Sequence, residues 1–540
     1  VNSDSVLFSP LSAKITQPPP FTSQWSYFLS QHLIKSTLVV SALTLVSRIL
    51  GFVRDIVIAH SFGASANTDA FLVAFKIPNF MRRLFGEGAF SQAFIPVLTE
   101  YKTHKTPAEI KALTEHVAGS LGGLLLIVTL IGVFAAPLLV LIFAPGFLHD
   151  AEKFALTVEL LKITFPYLLF IALTAFAGSL LNTYGKFAVP SFTPVILNLC
   201  MISATLWAAP YFEQPIIALA WGVFIAGILQ LLFQLPALHH LGLLPRPRLN
   251  RQDPGVKRIY QLMIPALFGV SVTQINLLID TLMASFLVTG SVSWLYYSDR
   301  LMEFPVGVFG LALATVTLPS LSKNIAKGDM TRYSYTLDWA LRWVFLIALP
   351  ATCGLIFLAA PILTTLFHNG QFNQHDVLMT SYSLIAYSVG LPGFILIKVL
   401  ASGFYSRQDT RTPVKIAVIA MISNMILNLS LILFLKHAGL ALATSLSALL
   451  NAGLLYYFLR KQQVFQPQTG WSKLLLRITI ASLGMSFILY LSQGTLADWL
   501  SMSNWERAYT LILTILLGLI SYLILLFTTG FRLSQAQLKT

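Results

Sequence analysis

The stretch SLGGLLLIVTLIGVFAAPLLVLIF, residues 120–143, carries no charged side chain over a length sufficient to cross a bilayer. A helix needs about 20 mostly apolar residues for that crossing. In hydrocarbon every backbone polar group must be satisfied internally, so only helices and closed barrels span membranes. Barrel strands alternate apolar and polar residues, and this run does not. Similar runs recur along the chain, at roughly 35–60, 66–99, 118–144, 155–182, 187–209, 215–238, 258–287, 293–321, 335–360, 377–404, 413–434, 439–459, 473–493 and 507–530. The 540 residues are 56% hydrophobic and 10% charged, where soluble proteins hold about 25% charged residues. The sequence therefore reads as an all-α polytopic membrane protein with 14 transmembrane helices.

The charge distribution orients these segments. Basic clusters such as Lys102/Lys105/Lys111, Arg246/Arg248/Arg251 and Arg460/Lys461/Lys473 fall after even-numbered segments. The loops after odd-numbered segments hold only Lys153, Lys436 and Arg507. Cytoplasmic loops are the Lys/Arg-rich ones, which places both termini in the cytoplasm and assigns the net charge of +14 to membrane topology, with no nucleic acid as partner. Two turns share a pattern: GSLLNTYGKFAVPSFTPVILN (178–198) and ASGFYSRQDTRTPVKIAVIAM (401–421) each end a helix on small residues, turn through a basic stretch and restart after a proline. Repeats of this kind occur in transporters. They divide the chain into a first lobe at 33–240 (helices 1–6), a second at 241–464 (helices 7–12), and a remainder at 465–540 with helices 13 and 14. Residues 1–32, polar and Pro-rich, read as a disordered extension without signal-peptide features. The chain starts at Val1 with its first Met at position 81, so the start site stays open.

Charges inside the apolar segments carry the functional signal, because a central Arg or Asp costs about 2.5–3.5 kcal/mol on insertion scales. The first segment holds Arg48, Arg54 and Asp55, the second Asp69, Lys76, Arg82, Arg83 and Glu87, and the eighth Asp299, Arg300 and Glu303. Such groups face partners or a polar cavity. Arg48 and Asp55 are seven apart and share a helix face; Asp69, Lys76, Arg83 and Glu87 form one stripe, with Arg83 and Glu87 at i,i+4. Pro78 interrupts the second segment and re-aims the residues beyond it, leaving open whether Arg82 or Arg83 points inward. Two readings stand. Arg suits bidentate phosphate contact, which favours a cavity for an anionic substrate; an internal ion-pair network tying helices together is the alternative. Asp280, Asn424 and Asn428 read first as interhelical hydrogen-bonding residues, with a cation site at Asp280 as the weaker option.

Catalysis and cofactors find little support. Cys200 and Cys353 sit in apolar runs as packing residues, and no His, Cys, Asp or Glu spacing reads as a metal site. Walker A, H-E-x-x-H and G-x-S-x-G motifs are absent from the sequence, so no enzyme activity, cofactor or nucleotide is expected. An ion gradient or the membrane potential would drive any transport.

Four stretches resemble the MurJ (MviN) family of lipid II flippases in the MOP exporter superfamily: SRILGFVRD (47–55), TDAFLVAFKIPNFMRRLFGEGAFSQAFIPVLTEYK (68–102), YYSDRLMEFPVGVFGLALATVTLPSLS (296–322) and GFYSRQDTRTPVKIA (403–417). The resemblance runs from about Leu33 to the last helix. It implies two six-helix lobes in a V around a cationic central cavity, with helices 13 and 14 forming a groove for the lipid tail. It also implies flipping of lipid II, the undecaprenyl-pyrophosphate-linked peptidoglycan precursor, across the bacterial inner membrane by alternating access. Arg48, Arg54, Arg82 and Arg300 match the family's important arginines and would hold the pyrophosphate. Asp55, Asp69, Lys76 and Glu87 match its other charged positions; with Arg83, Asp299 and Glu303 they would act as gating or charge-pair residues. Lipid II, membrane lipids and cell-wall synthesis proteins are the implied partners. Competing readings are a related exporter of drugs or of another lipid-linked oligosaccharide, a membrane enzyme acting on polyprenyl phosphates, and a scaffold of the cell-wall machinery.

Overall fold

The computed structural model describes residues 23–83, 89–250 and 252–532, with backbone alone for 23–37 and 268–277. Glu87 and residues 1–22 of the expected extension lie outside the described residues. Among those described the chain is helical throughout. The first half comprises α1 (Ser23–Phe62), α2 (Ala66–Met81), α3 (Ser91–His104), α4 (Pro107–Phe134), α5 (Ala136–Phe143), α6 (Ala151–Thr164), α7 (Tyr167–Thr183), α8 (Ala188–Ser203) and α9 (Ile217–His240). The second comprises α10 (Pro254–Ser285), α11 (Ser291–Pro305), α12 (Leu311–Ala326), α13 (Met330–Phe357), α14 (Ala359–Phe367), α15 (Gln374–Val389), α16 (Leu391–Tyr405) and α17 (Arg411–Lys461). The helices α18 (Trp471–Ser492), α19 (Leu496–Ser501) and α20 (Asn504–Thr528) complete the described chain. Helix α1 starts at Ser23, ahead of the boundary expected at residue 33.

Ten helical stretches among the described residues are long and apolar enough to cross a membrane. Several are continuous spans broken locally: α6 runs into α7 as Ala151–Thr183, and α11 reaches α12 through a π-helical turn at Val306–Gly310 to form Ser291–Ala326. Prolines explain such breaks, because each removes one backbone donor and crowds the preceding turn. Helix α17 contains a sharp bend at Lys436 (φ 50°, ψ −129°), so its two arms correspond to the apolar segments at 413–434 and 439–459. Large apolar side chains such as Phe134, Leu433, Phe434 and Trp505 point outward. That surface suits lipid, where the backbone is satisfied inside each helix.

Helix starts are set by local chemistry. Thr106 and Glu109 form a capping box ahead of α4, with Pro107 at its first position; Ser503 and Glu506 do the same for α20. These caps satisfy donors that a helix cannot satisfy internally.

The two halves meet at two levels. At one end the Gln371 amide donates to the His60 carbonyl at 2.9 Å, the His60 ring meets the Leu366 carbonyl at 3.1 Å, and the Gly146 amide donates to Ser285 Oγ at 3.1 Å. Gly370 (φ 62°) permits this approach, since a Cβ there would overlap the His60 carbonyl. At the opposite end the start of α10 lies on α3 and α4. There Arg258 pairs with Glu100 at 2.8 Å and His116 with Asp253 at 2.8 Å. Helix α10 thus bridges the halves, packing on α3 and α4 as well as on α11 and α17. Between the two levels lies a cavity.

Candidate functional site

The cavity is walled by α2, α10 and α11, with Tyr387 of α15 and Thr444 of α17. Its charged lining is Lys76, Arg83, Asp280, Asp299, Arg300 and Glu303, set among Phe75, Phe80, Tyr296 and Tyr387. Basic and acidic groups are thus matched in number among the described lining residues. Pro78 lies inside α2, and the helix passes into a π-helical turn at Arg82 and Arg83. Arg83 is on the cavity wall, and Arg82 donates from Nε to Asn79 Oδ1 at 2.9 Å. Asn79 is itself a wall residue.

The arginines of α1 have separate fates. Arg54 is buried, 6% exposed. Its Nη2 lies 2.7 Å from Asp55 Oδ1, its Nη1 donates to Asn198 Oδ1 at 3.0 Å, and its Nη2 also reaches Tyr296 Oη at 3.1 Å. Arg54 is therefore behind the wall, reached through Tyr296. Arg48 is exposed and lies against Gly307 in the π-helical turn of the α11–α12 span, where a Cβ would overlap its Nη1. It joins α1 to that span outside the cavity lining.

Arg300 connects the two sets. Its Nε is 3.4 Å from Asp55 Oδ2 and its Nη1 3.0 Å from Glu303 Oε2. Its Nη2 reaches Tyr296 Oη at 3.4 Å, and the guanidinium stands 5.1 Å from the centre of the Tyr296 ring. A chain of contacts runs from Arg54 through Asp55 and Tyr296 to Arg300 and Glu303, ending at the cavity.

Asp69 belongs elsewhere. It is 1% exposed, and its Oδ2 accepts from Lys153 Nζ at 2.8 Å and from the Gly290 amide at 2.8 Å. Its Oδ1 accepts from the Ser293 amide at 2.9 Å and Ser293 Oγ at 2.7 Å. Gly290 is the N-terminal cap position of α11, at φ 95°, with no side chain to cap with. Asp69 supplies that cap from another helix, where a carboxylate meets unsatisfied amides and the positive end of the helix dipole. Asp69 lines no part of the cavity and pairs with a lysine rather than an arginine. Lys153, read from the sequence as a loop cation, is buried, and so is Arg507, which donates to the carbonyls of Trp499, His368 and Leu500.

Asp280 gathers the polar residues of α17. Asn428 Nδ2 donates to Asp280 Oδ1 at 2.8 Å and to Asn424 Oδ1 at 3.0 Å, and Asn424 Nδ2 donates to Thr444 Oγ1 at 3.2 Å. This is the interhelical hydrogen-bonding arrangement. No cluster of three or more His, Cys, Asp or Glu residues able to hold a metal occurs among the described residues.

Sequence reasoning missed Tyr296, Asn198 and Lys153. Tyr296 had a signal, four residues before Arg300 and therefore on the same helix face. Asn198 and Lys153 had none, since each meets its partner across more than 80 residues of chain.

A many-helix membrane protein with paired charges around an interior cavity between its two halves has the construction of a transporter. The comparisons agree. Residues 58–510 match the protein family described as lipid II flippase MurJ, and the chain belongs to that family. It is 50% identical over 521 residues, 95% of this chain and 99% of the relative, to a probable lipid II flippase MurJ of Vibrio cholerae. It is 44% identical to the lipid II flippase MurJ of Burkholderia cenocepacia over 85% of this chain and 90% of that one. Among solved structures it resembles a lipid II flippase MurJ in an inward closed conformation, with TM-score 0.77, 31% identity, and coverage of 90% of this chain and 98% of the other. An inward-facing multidrug MATE transporter of the MOP superfamily shares the fold, with TM-score 0.63 at 14% identity over 79% of this chain and 98% of that one.

Proposed function

We propose that this chain carries lipid II from the cytoplasmic to the periplasmic leaflet of the bacterial inner membrane by alternating access. The observation that carries the reading is the placement of Lys76, Arg83 and Arg300 in one cavity between the halves, in a chain of the lipid II flippase family. A diphosphate brings charge that these groups can meet by charge-assisted hydrogen bonds. Asp55, Asp299 and Glu303 hold the cations when no phosphate does, so the charges stay paired through the cycle. Arg54 supports the wall from behind, Arg82 holds the wall residue Asn79, and Arg48 links α1 to the α11–α12 span. Substrate moves and leaves unchanged, so the activity is transport and not catalysis.

In this reading the chain has fourteen spans: α1, α2 with α3, α4 with α5, α6 with α7, α8, α9, α10, α11 with α12, α13, α15 with α16, the two arms of α17, α18 and α20. The basic loops place both termini in the cytoplasm. Residues 33–240 and 241–464 form two lobes in a V, with α10 as the element between them. Helices α18 and α20 offer their exposed apolar faces to the lipid tail. The contacts of His60 and Gly146 with the second lobe hold the periplasmic side, those of Arg258 and His116 hold the cytoplasmic side, and rocking of the lobes releases one set at a time.

The test is lipid II translocation in cells depleted of their own flippase and supplied with wild type or Arg300→Ala at equal membrane level. Translocation by wild type and a strongly reduced rate for Arg300→Ala are expected. Translocation by neither assigns the protein to another lipid-linked oligosaccharide or to drugs, and equal translocation by both returns Arg300 to a structural role.

A further inference from the structure

Tyr296 occupies an unusual junction. Its hydroxyl has one proton and two lone pairs. The proton goes to Asp55 Oδ1 at 2.9 Å. The lone pairs take Arg54 Nη2 at 3.1 Å and Arg300 Nη2 at 3.4 Å. One phenolic oxygen on α11 thus uses its whole hydrogen-bonding capacity on a carboxylate and two guanidinium groups, two of them on α1. The ring lines the cavity and lies beneath the Arg300 guanidinium, 5.1 Å from it.

The distances rank the contacts of Arg300. Its nearest acceptor is Glu303 at 3.0 Å, and its approach to Asp55 is the looser one, at 3.4 Å. Asp55 is 2% exposed, whereas the Arg300 side chain is 34% exposed. Asp55 already receives Arg54 and the Tyr296 hydroxyl. If that hydroxyl were removed, a buried carboxylate would lose a donor, and such a loss is costly. Arg300 is the cation able to replace it, by moving less than about 1 Å toward Asp55 and away from the cavity.

We infer that Tyr296 is a positioning residue for substrate: its hydroxyl satisfies Asp55, and its ring supports Arg300, so that the guanidinium stays available to a phosphate group in the cavity. This rests on the proposed function and deepens it, since it assigns control of headgroup affinity to a residue that bears no charge. The ligand class is a phosphate-bearing lipid headgroup, and the contribution is to binding rather than to the movement of the lobes.

The experiment uses the full-length protein in detergent and in vesicles. Lipid II is titrated against wild type and Tyr296→Phe, and translocation is measured over a range of lipid II concentrations. Tyr296→Phe keeps the ring and removes only the hydroxyl. Its expected effect is a Kd and KM raised about five- to tenfold, the worth of one ordinary hydrogen bond, because the substrate contact itself is weakened and not lost, with kcat near wild type. Removal of the Asp55 charge in that background, in Tyr296→Phe/Asp55→Asn, is expected to restore most of the lost affinity, because the competitor for Arg300 is gone. Affinities are compared per monodisperse protein, with thermal stability measured in parallel, so that a variant that folds poorly is told apart from one that binds weakly. Equal affinity of Tyr296→Phe and wild type overturns the inference alone, and so does a fall in kcat at unchanged KM or a double variant weaker than the single. Absence of lipid II binding by wild type overturns the proposed function, and the inference with it.

Discussion

Two buried aspartates of the first half both reach α11, and they are built for different ends. Asp69 has each oxygen doubly engaged, by Lys153, two backbone amides and the Ser293 hydroxyl, all within 2.9 Å. Three of its four donors are fixed by the start of α11, so the carboxylate joins the halves as a rigid cap. Asp55 accepts from side chains alone, and one of these, Arg300, is loosely held at 3.4 Å and also faces the cavity. Similar burial thus yields a fastening in one case and an exchangeable contact in the other. The difference lies in the donors: backbone amides at a helix start cannot swing away, whereas a guanidinium on a long side chain can.

The comparison is broken most severely at Asp69. Asp69→Ala leaves Lys153 buried without its ion-pair partner, and breaking a buried pair in this way costs about 3–5 kcal/mol. The expected outcome is loss of folded protein, read as a collapse of the monodisperse peak in detergent chromatography. Lys153→Met added to Asp69→Asn should recover part of it; full stability of Asp69→Ala would show that the fastening is dispensable.

Arg300→Ala acts on the exchangeable contact. Translocation should fall about 10–100-fold, the scale of a lost charged hydrogen bond, while thermal stability in detergent moves far less than for Asp69→Ala. Similar melting losses for the two variants would erase the distinction between the aspartates.

Gly307→Ala sharpens the picture at Arg48. Alanine favours a helix over glycine by about 1 kcal/mol, yet its Cβ would meet Arg48 Nη1 and push the side chain aside. A few-fold slower translocation with stability unchanged to within about 1 kcal/mol is expected, and Arg48→Gln should make the alanine harmless. Unaltered transport by Gly307→Ala would deny Arg48 a role at this contact.

The smallest effect concerns Asp498, an exposed carboxylate outside the spans. Hydrogen bonds from the Thr495 amide and hydroxyl hold its carboxyl below the ordinary aspartate range. A depressed carboxylate stabilises above its unfolded value and loses that contribution as pH falls through the folded one. The start of α19 should therefore show faster amide exchange at strongly acid pH, after correction for intrinsic rates, and Asp498→Asn should remove the pH dependence. Identical pH profiles for both proteins would discount the cap.

The helical, membrane-crossing character was legible because it is local: an uninterrupted apolar run has one solution in lipid. The expected stripe of Asp69, Lys76 and Arg83 did not stay together, since Asp69 caps the start of α11 while Lys76 and Arg83 line the cavity. Pro78 marked the break in α2, and the structure puts Arg83 on the wall and Arg82 on Asn79. Lys153 looked like a solvated loop residue because nothing near it in sequence is its partner. It is inside because Asp69, 84 positions away, requires a cation there.

The sequence by itself determined the helical membrane class, the positions of the apolar segments and the family, since each depends on runs of neighbouring residues. Only the tertiary structure decided which charges share the cavity, that Asp69 fastens while Asp55 exchanges, and that Tyr296 stands between two arginines. The physical reason is that electrostatics and hydrogen bonding depend on distance in space, and packing of α1, α2, α10 and α11 sets those distances across separations of up to 242 residues.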